Sequence, residues 1–328
     1  MKVTMFSTQD YDKTFFTSHC PDGIALDFHD AKLNEHTAVL AKGAHAVCVF
    51  VNDTVDKAVI DLLIDMNIRH IALRCAGYNN VDIDYAKSQG MSLSRVPAYS
   101  PEAVAEHAVA LMLSLNRKLH KAYNRVRDDN FDLNGLLGFN MYQRTVGVLG
   151  TGKIGRAVID ILLGFGCEVL CYDIFEASEL KDKAVTYTDL PTLMAQSDII
   201  TLHCPLNEST EHMINEQSIS SMKDGVMIIN TSRGKLIDTK AVISGIKSKK
   251  IGYLGLDVYE MEEDLFFKNR SNEIIDDDVF QRLQSFPNVM ITGHQGFFTE
   301  DALTQIARVT LSNIELAAKD EQDAETFL

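Results

Sequence analysis

The chain has 328 residues, long enough for two domains that each bury a core. Apolar residues make up 46 % and charged residues 23 %, as in ordinary soluble globular proteins. The formal net charge of -15 argues against a broad phosphate-backbone-binding surface, and the absence of any apolar run of 18 residues excludes a transmembrane helix.

Met1–Ser7 runs straight into a strand pattern with no apolar signal region, so a cytoplasmic protein is expected. Strand-like runs follow at Val3–Phe6, Ile24–Phe28, Ala46–Val51, Ile68–Arg74 and Met91–Val96. Segments such as Asp56–Met66, DKAVIDLLIDM, place apolar residues at helical spacing between them. Alternation of this kind predicts a parallel sheet. Pro97 and Pro101 then bracket a stiff connection that marks a domain boundary. Ser100 as N-cap, Pro101 at the first helical position and Glu102 in the first turn predict a long helix to about Lys121.

After Gln143 the alternation restarts, with runs at Thr145–Leu149, Cys167–Tyr172, Ile199–Cys204, Val226–Asn230, Ile251–Leu256 and Val289–Thr292. Six strands with crossovers predict a second doubly wound domain, followed by a last helix over about Thr299–Lys319. The nearest cysteines, Cys167 and Cys171, fall in one strand, where four steps separate them by about 13 Å. That exceeds disulfide reach, and no ligand spacing suggests a metal, so the thiols read as reduced and no metal is expected.

The strongest motif is TVGVLGTGKIGRAVIDILLGFGCEVLCYD, in which Gly150, Gly152 and Gly155 form G-x-G-x-x-G between a strand and a helix. Gly150 permits the tight turn, Gly152 lets a pyrophosphate approach, and Gly155 lets helix and strand pack closely. Asp173, 23 residues after Gly150, is placed to accept the adenosine ribose hydroxyls and to repel a 2′-phosphate. Ile174 offers no compensating arginine, so NAD is expected over NADP. A glycine-rich turn in an unrelated α/β fold is the bland alternative.

Three further strand ends carry chemistry. Arg233 in VMIINTSRGKLID has the planar fork that binds a carboxylate at two points. Its alternative is a surface arginine in a turn. Asp257 ends the strand of IGYLGLDVYEMEEDLFF, and Glu260, Glu262, Glu263 and Asp264 follow. One carboxylate beside a histidine would favour the imidazolium; the pattern does not choose which. His294 in VMITGHQGFFT is a candidate general acid, and His203 in ITLHCPL is its rival. His107 and His120, on the long helix, read as structural.

In this order, RCAGYNNVD, RVPAYSPEAVAEH, GTGKIG, NTSRG, LDVYE and TGHQ resemble the D-isomer-specific 2-hydroxyacid dehydrogenase family over nearly the whole chain. Within it, the motifs are most similar to those of the NAD-dependent D-lactate dehydrogenases. The resemblance implies a Rossmann NAD-binding domain at 100–298. It implies a flavodoxin-like substrate domain at 1–99 and 299–328, with a cleft between the two that closes around substrate. Arg233, Glu262 and His294 become the catalytic set: substrate anchor, charge partner and proton donor. Ala76, Gly77 and Tyr99 would help bind the substrate carboxylate, and Phe298 would meet its alkyl group. The cofactor set becomes Gly150, Gly152, Lys153, Ile154, Gly155, Asp173, Cys204, Pro205, Thr231, Ser232, Arg233 and Asp257, the last holding the carboxamide. Other family members carry different polar residues at position 153.

The implied reaction is NADH-dependent reduction of pyruvate to D-lactate, as in fermentation, by a homodimer or higher homo-oligomer. The alternatives are another D-2-hydroxy acid (2-hydroxyisocaproate, phenyllactate or glycolate) and an NAD(H)-sensing corepressor. The brevity of the chain after its last helix disfavours an added regulatory domain or a long partner-binding tail.

Overall fold

The computed structural model describes residues 1–262, 265–267 and 269–328; Glu263 and Asp264 of the acidic run lie outside them. The chain forms two compact units, Met1–Ser100 with Phe297–Leu328, and Pro101–Gly296.

The first unit opens with β1 (Lys2–Met5), α1 (Asp10–His19), β2 (Ala25–Phe28) and β3 (Ala46–Val49). It continues through α2 (Lys57–Asp65), β4 (His70–Leu73), α3 (Ile83–Ser88) and β5 (Ser92–Ser94). Among the described residues its sheet has five parallel strands in the order β2-β1-β3-β4-β5. β3 and β4 are buried along their whole length, as strands covered on both faces must be. α2 begins where Asp56 accepts the Val59 N–H, and it buries Val59, Ile60 and Leu63 against the sheet core.

The second unit begins with α4 (Pro101–Arg117) and α5 (Leu119–Arg127). Its strands are β6 (Thr145–Leu149), β7 (Glu168–Tyr172), β8 (Val185–Tyr187), β9 (Ile199–Leu202), β10 (Val226–Asn230), β11 (Ile251–Leu256) and β12 (Val289–Ile291). The helices between them are α6 (Lys153–Gly164), α7 (Leu190–Gln196), α8 (Glu216–Ser221), α9 (Thr239–Lys247) and α10 (Asp278–Gln284). The parallel order is β12-β11-β10-β9-β6-β7-β8. The chain reverses direction across the sheet between β6 and β9, the switch point where open α/β sheets take their ligands.

Two expectations need correction. The long helix does not run to Lys121: Lys118 adopts a left-handed conformation (φ 50°) and divides it into α4 and α5. The buried amide of Asn116 causes this locally, because it bonds both the N–H and the carbonyl of Phe139 and ties the helix end to a distant loop. The sheet also has a seventh strand, β8, a three-residue edge strand on β7 that is too short and too exposed to announce itself by periodicity.

The chain returns to the first unit through α11 (Glu300–Ala318), capped by Thr299 and packed on α1 and β4. Beyond it the tail covers the edge of β5: Arg95 donates to the Thr326 carbonyl and Leu328 to that of Leu93. Covering the edge removes a row of open backbone groups.

Candidate active site

The glycine loop joins β6 to α6. A Cβ on Gly150 (φ 94°) would lie 2.6 Å from the backbone of His203 and Cys204, and one on Gly155 would strike the Gly150 carbonyl at 2.0 Å. A Cβ on Gly152 would meet no protein atom within 4 Å. Glycine at 152 therefore keeps the approach to the α6 N-terminus, where free N–H groups point outward, open from outside. These are the shapes a dinucleotide pyrophosphate requires, so the loop fits the NAD implied by the motif.

Asp173 follows β7 and is tied into the glycine loop. Its Oδ2 accepts the Thr151 N–H at 2.6 Å and the Thr151 hydroxyl at 3.1 Å, while Oδ1 accepts the Phe175 N–H at 3.2 Å. Tyr187 on β8 donates to the Thr151 oxygen and accepts from the Ala177 N–H. A continuous chain of hydrogen bonds thus holds the glycine loop. Sequence reasoning missed Thr151 and Tyr187, because β8 was not foreseen.

At the end of β10, buried Asn230 shapes the turn that carries Arg233: its amide donates to the Arg233 carbonyl and its Oδ1 accepts the Ser232 N–H. Ser232 bonds the Leu202 carbonyl, next to Cys204 and Pro205 at the end of β9, and Thr231 is buried. Gly234 is required because a Cβ there would lie 2.1 Å from the Tyr259 backbone. That close approach sets the β10 turn against the loop after β11, where the acidic candidates sit.

Among the described acidic residues of that run, Glu262 is the one that meets His294. Its Oε1 lies 2.9 Å from His294 Nδ1, and its Oε2 accepts the Tyr259 N–H at 3.0 Å. A carboxylate only accepts, so Nδ1 carries the proton. The two side chains are 20 % and 21 % exposed, accessible yet shielded. Glu260 is committed elsewhere, to His212 and Thr239. His203, the rival, sits beneath the glycine loop against Thr201, and burial pushes it down to about 3. Among the described residues it has no carboxylate partner, and its ring is bonded to Thr201 instead.

His294 has a left-handed backbone (φ 56°), which its surroundings must hold. Asp257 does so: Oδ1 accepts the Gln295 N–H and Oδ2 the Gly296 N–H, each at 2.8 Å. Oδ1 also accepts the Thr292 hydroxyl, and Thr292 accepts His107 Nε2–H at 3.0 Å. Burial acts to raise the Asp257 carboxyl, but the hydrogen bonds from His107, Thr292 and Gln295 outweigh it and hold the group below its ordinary value. His107 is therefore structural in a specific sense: it supports the turn that presents His294.

In the first unit, the N–H groups of Ala76 and Gly77 enter no hydrogen bond among the described residues, while the Ala76 carbonyl accepts Arg95 at 3.1 Å. Tyr99 meets Phe297 edge-on at 6.2 Å, and half-exposed Phe298 meets Tyr11 at 4.8 Å. No cluster of His, Cys, Asp or Glu suited to a metal occurs among the described residues.

A glycine loop on a seven-stranded sheet, with an acid–base pair at the neighbouring strand ends, defines an NAD-dependent oxidoreductase. Residues 109–296 match the model of the D-isomer specific 2-hydroxyacid dehydrogenase, NAD binding domain. The D-lactate dehydrogenase of Escherichia coli K12 is 51 % identical over 322 residues, covering 98 % of both chains. The apo-structure of the E. coli D-lactate dehydrogenase superposes with a TM-score of 0.91 at 48 % identity, covering 99 % of each chain. The Aquifex aeolicus D-lactate dehydrogenase, solved with NAD and lactic acid, gives 0.87 at 35 % identity over 99 % of this chain and 98 % of that one. The chain belongs to the D-isomer specific 2-hydroxyacid dehydrogenase family.

Proposed function

We propose that the protein reduces pyruvate to D-lactate with NADH, reversibly. The observation that carries this is the His294–Glu262 pair at 2.9 Å, beside the strand end that bears Arg233 in an NAD-binding unit. The near-full-length likeness to proteins named D-lactate dehydrogenase supports it.

NADH, when bound, supplies the hydride. His294 Nε2 gives its proton to the carbonyl oxygen as negative charge develops there, and takes it back in oxidation, an effect of about 10²–10⁴-fold. Glu262 keeps Nδ1–H oriented and compensates the positive imidazolium before transfer. Arg233 binds the substrate carboxylate bidentately. From the first unit, the N–H groups of Ala76 and Gly77, with Tyr99, are assigned to that carboxylate, and Phe298 to the methyl group. Gly150, Gly152, Lys153, Ile154 and Gly155 are assigned to the pyrophosphate side. Asp173, Cys204, Pro205 and Thr231 to Arg233 line the rest of the cofactor, and Asp257 keeps acceptor capacity on Oδ2 for the carboxamide.

The assembly is a homo-oligomer acting in the cytoplasm, in fermentative reoxidation of NADH. Exposed Leu119, Tyr123, Val126, Phe131, Leu133 and Leu137 form an apolar segment of the kind that a second copy covers.

The test is NADH consumption with a panel of 2-oxo acids of rising size, followed by chiral analysis of the product. Pyruvate should give the highest kcat/KM and D-lactate the product. Preference for a bulky 2-oxo acid, or an L-product, would overturn the assignment. NADH binding without turnover on any of them would favour a sensing role.

A further inference from the structure

A trans peptide unit is planar, and its C=O and N–H point in opposite directions. Holding the carbonyl of one residue therefore aims the N–H of the next. After β4, Val96 donates its N–H to the Cys75 carbonyl at 3.2 Å, and Arg95 Nη1 donates to the Ala76 carbonyl at 3.1 Å. The first bond points the Ala76 N–H away from Val96, and the second points the Gly77 N–H away from Arg95. Backbone pairing beside β5 thus fixes Ala76, and at Gly77 the Arg95 side chain takes over that task. Neither N–H has a protein partner among the described residues.

Two features separate Arg95 from a solvated surface arginine. Its guanidinium carbon lies 5.1 Å from the centre of the Tyr78 ring, so one loop supplies both its acceptor and its stacking partner. Among the described residues it forms no ion pair. Its charge is thus left to act on the Ala76–Gly77 peptide. A charged donor on a carbonyl polarises that peptide and makes its N–H a stronger donor.

The Arg95 backbone is held as well. β5 ends at Ser94, yet the Arg95 N–H donates to the Thr326 carbonyl at 2.8 Å. The Arg95 carbonyl accepts the amide of Asn313, 218 positions later, at 3.1 Å. The Thr326 hydroxyl bonds Asn313 Oδ1 at 2.8 Å, and Asn313 is buried. α11 and the segment after it therefore fix the base from which the Arg95 side chain reaches.

On the reading of the reaction given above, the Gly77 N–H meets the substrate carboxylate. We infer that Arg95 is a positioning residue for that contact: it aims and polarises the Gly77 N–H, and Thr326 with Asn313 holds Arg95 in turn. The carboxylate is unchanged by hydride transfer, so this contact holds substrate and transition state alike. Its loss raises KM rather than lowering kcat.

The wild type, Arg95→Met, Arg95→Lys and Thr326→Val are assayed with pyruvate at saturating NADH, and NADH affinity is measured by fluorescence titration. Arg95→Met should raise KM about tenfold or more, the lower end of what a hydrogen bond to a charged group is worth. Its kcat should fall less than about threefold, with NADH affinity unchanged. Arg95→Lys keeps a cationic donor and should recover most of the rise. Thr326→Val should raise KM by roughly two- to fivefold, the worth of one neutral hydrogen bond. Partial unfolding would instead lower kcat and NADH-binding capacity together at constant KM. The inference is overturned if KM is unchanged in Arg95→Met or, should that variant not fold, in Thr326→Val. A rise that Arg95→Lys does not recover would make Arg95 a packing residue and overturn it too. A wild type that turns over no 2-oxo acid would sink the reaction assignment itself, a result seen before any substitution is made.

Discussion

His294 Nδ1 and Glu262 Oε1 stand 2.9 Å apart across thirty-two residues of sequence, and the other Glu262 oxygen is fixed by the Tyr259 N–H. This pairing places a proton on Nδ1 of His294, the residue proposed as the proton donor. His294→Gln should lower kcat by about 10²–10⁴-fold while NADH affinity, measured by fluorescence titration, changes less than about twofold. Glu262→Gln preserves a hydrogen bond to Nδ1–H but removes the charge. Its kcat for pyruvate reduction should fall at least about tenfold while NADH affinity holds. An unchanged kcat would remove Glu262 from the charge-compensating role.

Asp173, proposed to face the adenosine ribose, also holds Thr151 by two hydrogen bonds. Changing it to admit a 2′-phosphate therefore loosens the loop as well. Asp173→Ser should weaken NADH binding roughly 10–100-fold, the worth of charge-assisted hydrogen bonds of about 1.5–3 kcal/mol. NADPH should not reach the wild-type affinity for NADH. Tight NADPH binding by the single variant would contradict the coupling.

Two buried histidines set an acid limit on stability. Burial pushes His203 down to about 3 and His70 to about 4, the latter partly offset by its bond with Ser92. Unfolded, each takes a proton near pH 6.5. Below that pH the unfolded state binds more protons than the native state, so stability declines from about pH 6.5 toward 4. Asp53, raised by burial, acts in the opposite sense and gains in contribution as pH falls. The stability measured by urea denaturation should fall by roughly 3 kcal/mol between pH 6.5 and 5, a slope that the double variant His70→Asn, His203→Asn should flatten. An equal slope in that variant would place the acid sensitivity elsewhere.

The exposed apolar segment gives a prediction about assembly. Leu133 and Leu137 are 78 % and 87 % exposed, more than a lone apolar side chain gains by being so. The wild type should sediment as an oligomer at micromolar concentration, and Leu133→Glu with Leu137→Glu as a 36.6 kDa chain. A wild type that is itself monomeric would rule this surface out.

Much of the architecture was legible in local pattern. Runs such as AVCV in β3 and VMIIN in β10 are continuous apolar strands, and only a sheet covered on both faces uses them. The spacing of Gly150, Gly152, Gly155 and Asp173 specified a dinucleotide turn because backbone sterics allow few alternatives. The break at Lys118 was not legible, since the residues there are good helix formers and the cause is a distant loop bonded to Asn116.

By itself, the sequence determined the alternation of parallel strands and helices, the glycine loop and the placing of Arg233 and His294 at strand ends. These follow from short-range periodicity and backbone geometry, which neighbouring residues encode. Local pattern left the carboxylate open and only the family resemblance named Glu262; the tertiary structure decided that Glu262 rather than Glu260 meets His294, that His203 is walled in beneath the loop, and that Asp257 and His107 support the turn that carries His294. Those choices depend on hydrogen bonds between residues tens to nearly two hundred positions apart, which the packed sheet brings within 3 Å or so and no local pattern records.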